Sequence, residues 1–115
     1  MQDNNDQVEF VRGSGNVFAD LGLPNPEERQ AKARLMHIIN SDIQRRGLTQ
    51  SQAAATTGLD QADISRIAHG RGVKFSTDRL IDVIRRLGMD VDLRIRHRAD
   101  GMGTIEVHEF LEATA

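Results

Sequence analysis

Apolar residues recur at helical spacing from position 31 onward: Ala31, Leu35, Ile38, Ile39 and Ile43, with Asp42 on the same arc. This period predicts one long helix with Leu35, Ile39 and Ile43 facing a core. Asn25-Pro26-Glu27-Glu28 marks its start with a capping residue, a proline where no helix amide needs a partner, and two acids at the positive end. Arg45, Arg46 and Gly47 mark its end, with positive charge at the negative pole and a glycine stop. A second apolar side, Leu80, Ile81, Val83, Ile84 and Leu87, predicts a helix over 77–87. Ser76 caps it, Gly88 closes it, and Phe75 with Leu80 supplies a hydrophobic staple.

Beyond that helix the period changes to two. Val91, Leu93 and Ile95 alternate with Asp92, Arg94 and Arg96. After Asp100-Gly101-Met102-Gly103 the alternation resumes, with Ile105 and Val107 against Thr104, Glu106 and His108. This pattern predicts a β-hairpin with Arg96 opposite Glu106, Ile95 opposite Val107 and Leu93 opposite Glu109. Because an isolated hairpin is marginal, it is expected to lie on the helices or to join a second copy, with Val91, Leu93, Ile95, Ile105 and Val107 in a dimer interface. His97 and His108 fall on opposite faces, which argues against a paired metal site, and residues 109–113 fit a strand or a short helix.

Between the two long helical patterns lies LTQSQAAATTGLDQADISRIAHG, residues 48–70. Thr49 caps a short helix in which Ala53 and Ala54 let a neighbour approach closely. Gly58 ends that helix and Leu59 plugs the turn. Asp60 caps a second helix, Asp63 adds negative charge to its first turn, and Ile64, Ile67 and Ala68 form its buried side. Two short crossed helices of this kind are a helix-turn-helix. The outer face of the second helix then carries Ala62, Ser65, Arg66 and His69, with Gln61 at its tip. Gln pairs with adenine, Arg with guanine and an Ala methyl with thymine in the major groove, so Gln61, Ala62, Ser65 and Arg66 are the candidate base-reading residues. The basic loop Gly70-Arg71-Gly72-Val73-Lys74 suits phosphate contact.

Leu48-Thr49-Gln50, Ala54, Gly58-Leu59 and Ile64-Ser65-Arg66-Ile67 resemble the Xre/Cro/CI-type repressor motif. The resemblance implies that Gln50 holds a phosphate, and the expected phosphate contacts are Thr49, Gln50, His69, Arg71 and Lys74. The chain departs from the family at Ala53, where a larger aliphatic residue is common, and at Thr57, where an apolar one is, which predicts somewhat loose packing. The expected fold is mainly α, a lambda-repressor-like bundle of four to five helices with the C-terminal β-hairpin.

Composition narrows the function. A chain of 115 residues with 38% hydrophobic content buries one modest core, and the absence of cysteine excludes disulfides, thiolate metal sites and thiol nucleophiles. No apolar run approaches membrane-spanning length and no signal peptide is recognisable, which predicts a cytoplasmic protein without membrane contact. His37 has no second ligand at metal-binding spacing, and neither metal nor cofactor is expected. No residue constellation suggests an enzyme. The net charge of −2 hides a division: residues 1–28 carry one Lys/Arg and six Asp/Glu, residues 29–98 fourteen and seven, residues 99–115 none and four. A basic middle between acidic ends is the footprint of a protein whose middle alone faces phosphate. The predicted organisation is a flexible segment over 1–24, a DNA-binding domain over 25–88 and a dimerising hairpin over 89–115.

The N-terminal segment holds two of the four phenylalanines. Residues 1–7 are expected to be disordered. Asn16 can cap a single turn presenting Val17, Phe18 and Leu21, closed by Gly22. Phe10, Val17, Phe18 and Leu21 then either fold back as a lid or form a docking peptide for a partner. Gly15-Asn16-Val17-Phe18-Ala19-Asp20-Leu21-Gly22, Pro26-Glu27-Glu28, the repressor motif, Phe75-Ser76 with Arg79-Leu80, and Leu87-Gly88-Met89-Asp90-Val91 resemble HigA-type antitoxins. That resemblance implies a homodimer on a palindromic double-stranded operator, repressing its own operon and neutralising a RelE/ParE/HigB-like toxin. A stand-alone or phage-derived regulator, and an interaction module that has lost DNA binding, are the alternatives.

Overall fold

A computed structural model describes residues 16–71 and 74–111 of the chain. Among them are five helices, α1 (Val17–Asp20), α2 (Pro26–Arg46), α3 (Gln50–Thr57), α4 (Gln61–Ala68) and α5 (Thr77–Arg86). The four longer helices stand where the apolar period and capping residues predict them. Helix α5 ends one residue before the expected Leu87, whose amide instead closes the helix on the carbonyl of Val83 at 3.0 Å.

Side chains cap the starts of α1, α3, α4 and α5 but not of α2. Thr49 accepts from the Gln52 amide while the Gln52 side chain accepts from the Thr49 amide, a reciprocal capping box. Asp60 Oδ1 accepts from the Asp63 amide at 2.7 Å, and Ser76 Oγ accepts from the Arg79 amide at 3.1 Å. Asn25 does not behave as expected. It lies in the left-handed region at φ 51°, makes no side-chain cap, and leaves only its carbonyl to accept from Arg29. Asn is one of the few residues besides glycine that adopt the left-handed conformation at small cost, and it turns the chain here before α2 begins. Asn16 does cap: its Oδ1 accepts from the Ala19 amide, and its Nδ2 donates to the Pro26 carbonyl at 2.9 Å and to Glu27 Oε2 at 3.2 Å, tying α1 to the head of α2.

The core is one cluster. Leu35, Met36, Ile38 and Ile39 of α2 meet Leu59, Ile64 and Ile67 of the α3–α4 pair and Leu80, Val83 and Ile84 of α5 with Leu87 just after it, and Phe75 leads into α5. Each fully buried Leu or Ile contributes roughly 1.5–3 kcal/mol by removal from water. Ile43 packs at the edge of the cluster. Ala68, the last residue of α4, is exposed rather than buried, while Ile67 beside it stays in the core.

The two departures at the helix crossing do not loosen it. Ala53 and Thr57 are both buried, and the Thr57 hydroxyl donates to the Ala53 carbonyl at 2.7 Å while accepting from the Leu59 amide at 3.3 Å. A polar side chain thus does at the turn what an apolar one does by bulk. Gly58 has φ 78°, and a Cβ there would meet the Arg86 guanidinium at 3.6 Å, so backbone conformation rather than crowding requires glycine.

The C-terminal expectation is overturned. No strand forms over 89–111, and the hairpin pairings of Arg96 with Glu106 and Ile95 with Val107 are not made as a ladder. Met89, Val91 and Val107 pack against the helical core, while the Ile105 amide donates to Glu27 Oε1 at 2.9 Å. Leu93 and Ile95 are 81% and 84% exposed. Alternation describes a two-sided ribbon, but two segments without a third strand bury too little to hold one. The helices instead take the residues they can cover.

Candidate nucleic-acid interface

Helix α4 sorts its residues by side. Ile64 and Ile67 are buried, whereas Gln61, Ala62, Arg66 and His69 are exposed and Ser65 is half-buried. The candidate base-reading residues Gln61, Ala62, Ser65 and Arg66 therefore share the accessible side of one helix, with its amide end leading. Asn40 of α2 donates from Nδ2 to the Ile67 carbonyl at 2.9 Å, holding the other end. A groove of about 490 Å³ runs beside this contact, with Met36, His37, Asn40, Ile67 and Gly70 in its wall.

The expected phosphate contacts are less uniform. Gln50 is exposed at the first residue of α3. Thr49 Oγ1 accepts from the Gln52 amide, a bond that leaves its own proton to donate elsewhere. His69 Nδ1 lies 2.8 Å from the Ser65 carbonyl, which only accepts, so Nδ1 carries the proton. Its Nε2 then donates to a phosphate only when the ring is protonated. Arg71 is exposed, its amide bonded to the Arg66 carbonyl at 2.7 Å. Lys74 is exposed as well, and residues 72–73 lie outside the described residues.

Asp63 joins these groups. Its Oδ1 accepts from Arg66 Nη1 at 2.6 Å and stands 3.9 Å from Lys74 Nζ. Helix periodicity alone gives Asp63 no more than a place in the first turn. The signal for the pair is the i,i+3 spacing of Asp63 and Arg66, since residues three apart are neighbours on a helix. Gln52 is likewise a residue that the motif does not single out, although Thr and Gln three residues apart carry the signature of a reciprocal cap.

The model of the family described as "Helix-turn-helix domain" matches residues 17–96. A solved structure described as "Putative XRE Family Transcriptional Regulator" superposes with a TM-score of 0.69 at 35% identity, covering 75% of this chain and 99% of that one. The chain is a helix-turn-helix protein of Xre type. No curated protein matches it.

In this Xre-type protein the other expected sites lie apart from α4. Of the candidate docking residues, Phe10 falls outside the described residues, Val17 and Phe18 belong to α1, and Leu21 follows it with 69% of its surface exposed. Of the expected dimer residues, Val91 and Val107 bury part of their surface on the core, while Leu93, Ile95 and Ile105 remain exposed. Among the described residues no group of three His, Cys, Asp or Glu can hold a metal, and no helix is long and apolar enough to cross a membrane.

Proposed function

We propose that this chain is a sequence-specific DNA-binding repressor of transcription that sets α4 in the major groove. One observation carries the reading: Gln61, Ala62 and Arg66 are exposed on the side of α4 opposite Ile64 and Ile67, which are buried. Amide, methyl and guanidinium groups on an outward helix face match the edges of adenine, thymine and guanine. Thr49, Gln50, His69, Arg71 and Lys74 fix the register on the backbone. The similarity to a protein described as a transcriptional regulator supports the same reading. Selection of binding sequences from a random DNA pool tests it: enrichment of a common half-site is expected, and recovery of unrelated sequences alone would refute it.

One helix reads few bases, so the working unit is a homodimer on a palindrome with half-sites about 34 Å apart. Leu93, Ile95 and Ile105 supply exposed apolar surface for that contact. Light scattering of Leu93→Glu with Ile95→Glu is expected to give a monomer with an unchanged helix signal. A stable dimer of that variant would place the contact elsewhere.

The finer role is that of an antitoxin repressing its own operon. The resemblance to HigA-type antitoxins supports it, and Leu21, exposed beside α1, is the residue assigned to contact a RelE/ParE/HigB-like toxin. Purification from its source with Leu21→Glu as the control is expected to bring down a small basic protein with the parent chain only.

A further inference from the structure

Arg66 is the strongest base-reading group on α4, and it is already engaged. Its Nη1 donates to Asp63 Oδ1 at 2.6 Å, and the same oxygen stands 3.9 Å from Lys74 Nζ across the turn. The Asp63 side chain is only 17% exposed, and its backbone amide is bonded to Asp60 Oδ1, so the carboxylate sits at a fixed place in the first turn of α4. There the positive end of the helix dipole favours its negative charge.

Resting on the proposed reading of α4, we propose that Asp63 is a positioning residue for Arg66 and sets the selectivity of the site for a guanine in each half-site. A guanidinium carries five N–H donors in a planar fork, and a carboxylate bound to Nη1 leaves the Nη2 and Nε edges to other partners. Two of those donors match N7 and O6 of guanine. Without the carboxylate, a long flexible side chain at an exposed site loses rotamer freedom on binding any one base, and it also reaches any nearby phosphate.

Asp63 acts a second time through its charge. It opposes the approach of phosphate to this part of α4 and neutralises part of the attraction that Lys74 offers to any DNA. Both effects weaken binding that ignores sequence. Asp63 therefore lowers affinity for random DNA while sharpening discrimination at the operator, a role distinct from holding the fold.

The test uses the full chain, a selected operator duplex and a random duplex of equal length, with affinity measured by fluorescence anisotropy across a salt series. Asp63→Asn keeps the size of the side chain but not its charge. It is expected to bind random DNA more tightly and to lower the operator-to-random ratio by about five- to a hundredfold, the range of one bidentate base contact. Lys74, released from the carboxylate, is expected to steepen the salt slope by about one unit. Asp63→Glu, which still reaches Arg66, is expected to restore most of the ratio, and thermal melts of all three chains check that they are folded. An Asp63→Asn chain that melts like the parent and keeps its ratio and slope overturns the assignment while leaving the reading of α4 intact. A parent chain that prefers no sequence overturns that reading itself, and this inference with it.

Discussion

Asn40 Nδ2 donates to the carbonyl of Ile67 at 2.9 Å, joining the middle of α2 to the end of α4 across 27 positions of sequence. The carbonyl is one of the last on α4, where no amide of the helix remains to satisfy it, and Gly70 supplies a second donor at 3.0 Å. Replacing Asn40 by Ala leaves the Gly70 bond in place, so the expected cost is about 0.5–1.5 kcal/mol. Thermal melting should fall by a few degrees. DNA affinity should fall further than stability alone explains, because the end of α4 then keeps the packing of Ile67 but loses its side-chain hydrogen bond to α2.

Base reading and phosphate holding separate by mutation. Arg66→Ala is expected to cost about 1–3 kcal/mol on the operator and to relax one base position. Arg71→Ala should weaken operator and random DNA alike and reduce the salt slope by about one unit as one phosphate keeps its counterion, whereas Lys74→Ala should do so by less than about one unit, since Asp63 already offsets part of that charge. Equal losses on both duplexes for Arg66→Ala would remove that residue from the reading set.

Thr57 gives a test of the helix crossing. Thr57→Val preserves the shape but removes the acceptor of the Leu59 amide and the donor to the Ala53 carbonyl. A buried amide left without a partner costs about 1–3 kcal/mol. Chemical denaturation should show that loss, with Thr57→Ser close to the parent. A Val variant as stable as the parent would mean that bulk alone suffices at this turn.

Helix α5 should respond to acid. Asp82 is held below its ordinary carboxylate value, first by the hydrogen bond from Arg86 and then by the charges of Arg86, Arg85 and Arg79, against an opposing effect of desolvation. The folded chain thus binds this proton less readily than the unfolded chain does. The stabilisation is complete above the ordinary value of 3.8 and disappears as pH falls through the lowered one. Melting Asp82→Asn and the parent across this range should show a difference that shrinks as the solution becomes more acid.

The helices are legible in the sequence because their ends are written in single residues. Thr49, Asp60 and Ser76 cap where their side chains predict, and the apolar period of Leu35, Ile39, Ile64, Ile67, Leu80 and Ile84 names the core. The outward side of α4 follows from the same period. The C-terminal segment is not legible, since Val91, Leu93 and Ile95 alternate as a strand does while the pattern says nothing of a third strand to pair with. Asn25 misleads because a capping residue before proline has two local options, and the choice of a left-handed turn is made by the chain around it. The Asp63–Arg66 pair needs geometry: spacing permits it, but only side-chain positions show that Lys74 faces the same carboxylate.

Arg46 donates to the carbonyl of Leu87 and stands 3.1 Å from Asp42 Oδ2, so a buried acid on α2 and the closing turn of α5 share one cation. This clasp involves no residue of α3 or α4. What keeps α2 and α5 together is therefore chemically independent of what α4 presents to solvent. Exchange of the side chains at positions 61, 62, 65 and 66 is therefore expected to leave the clasp intact, and under the proposed reading of α4 it is the change that alters the target sequence. Retargeting by exchange of the outer face of α4, with Ile64, Ile67, Asp42 and Arg46 kept, is the engineering route this architecture offers.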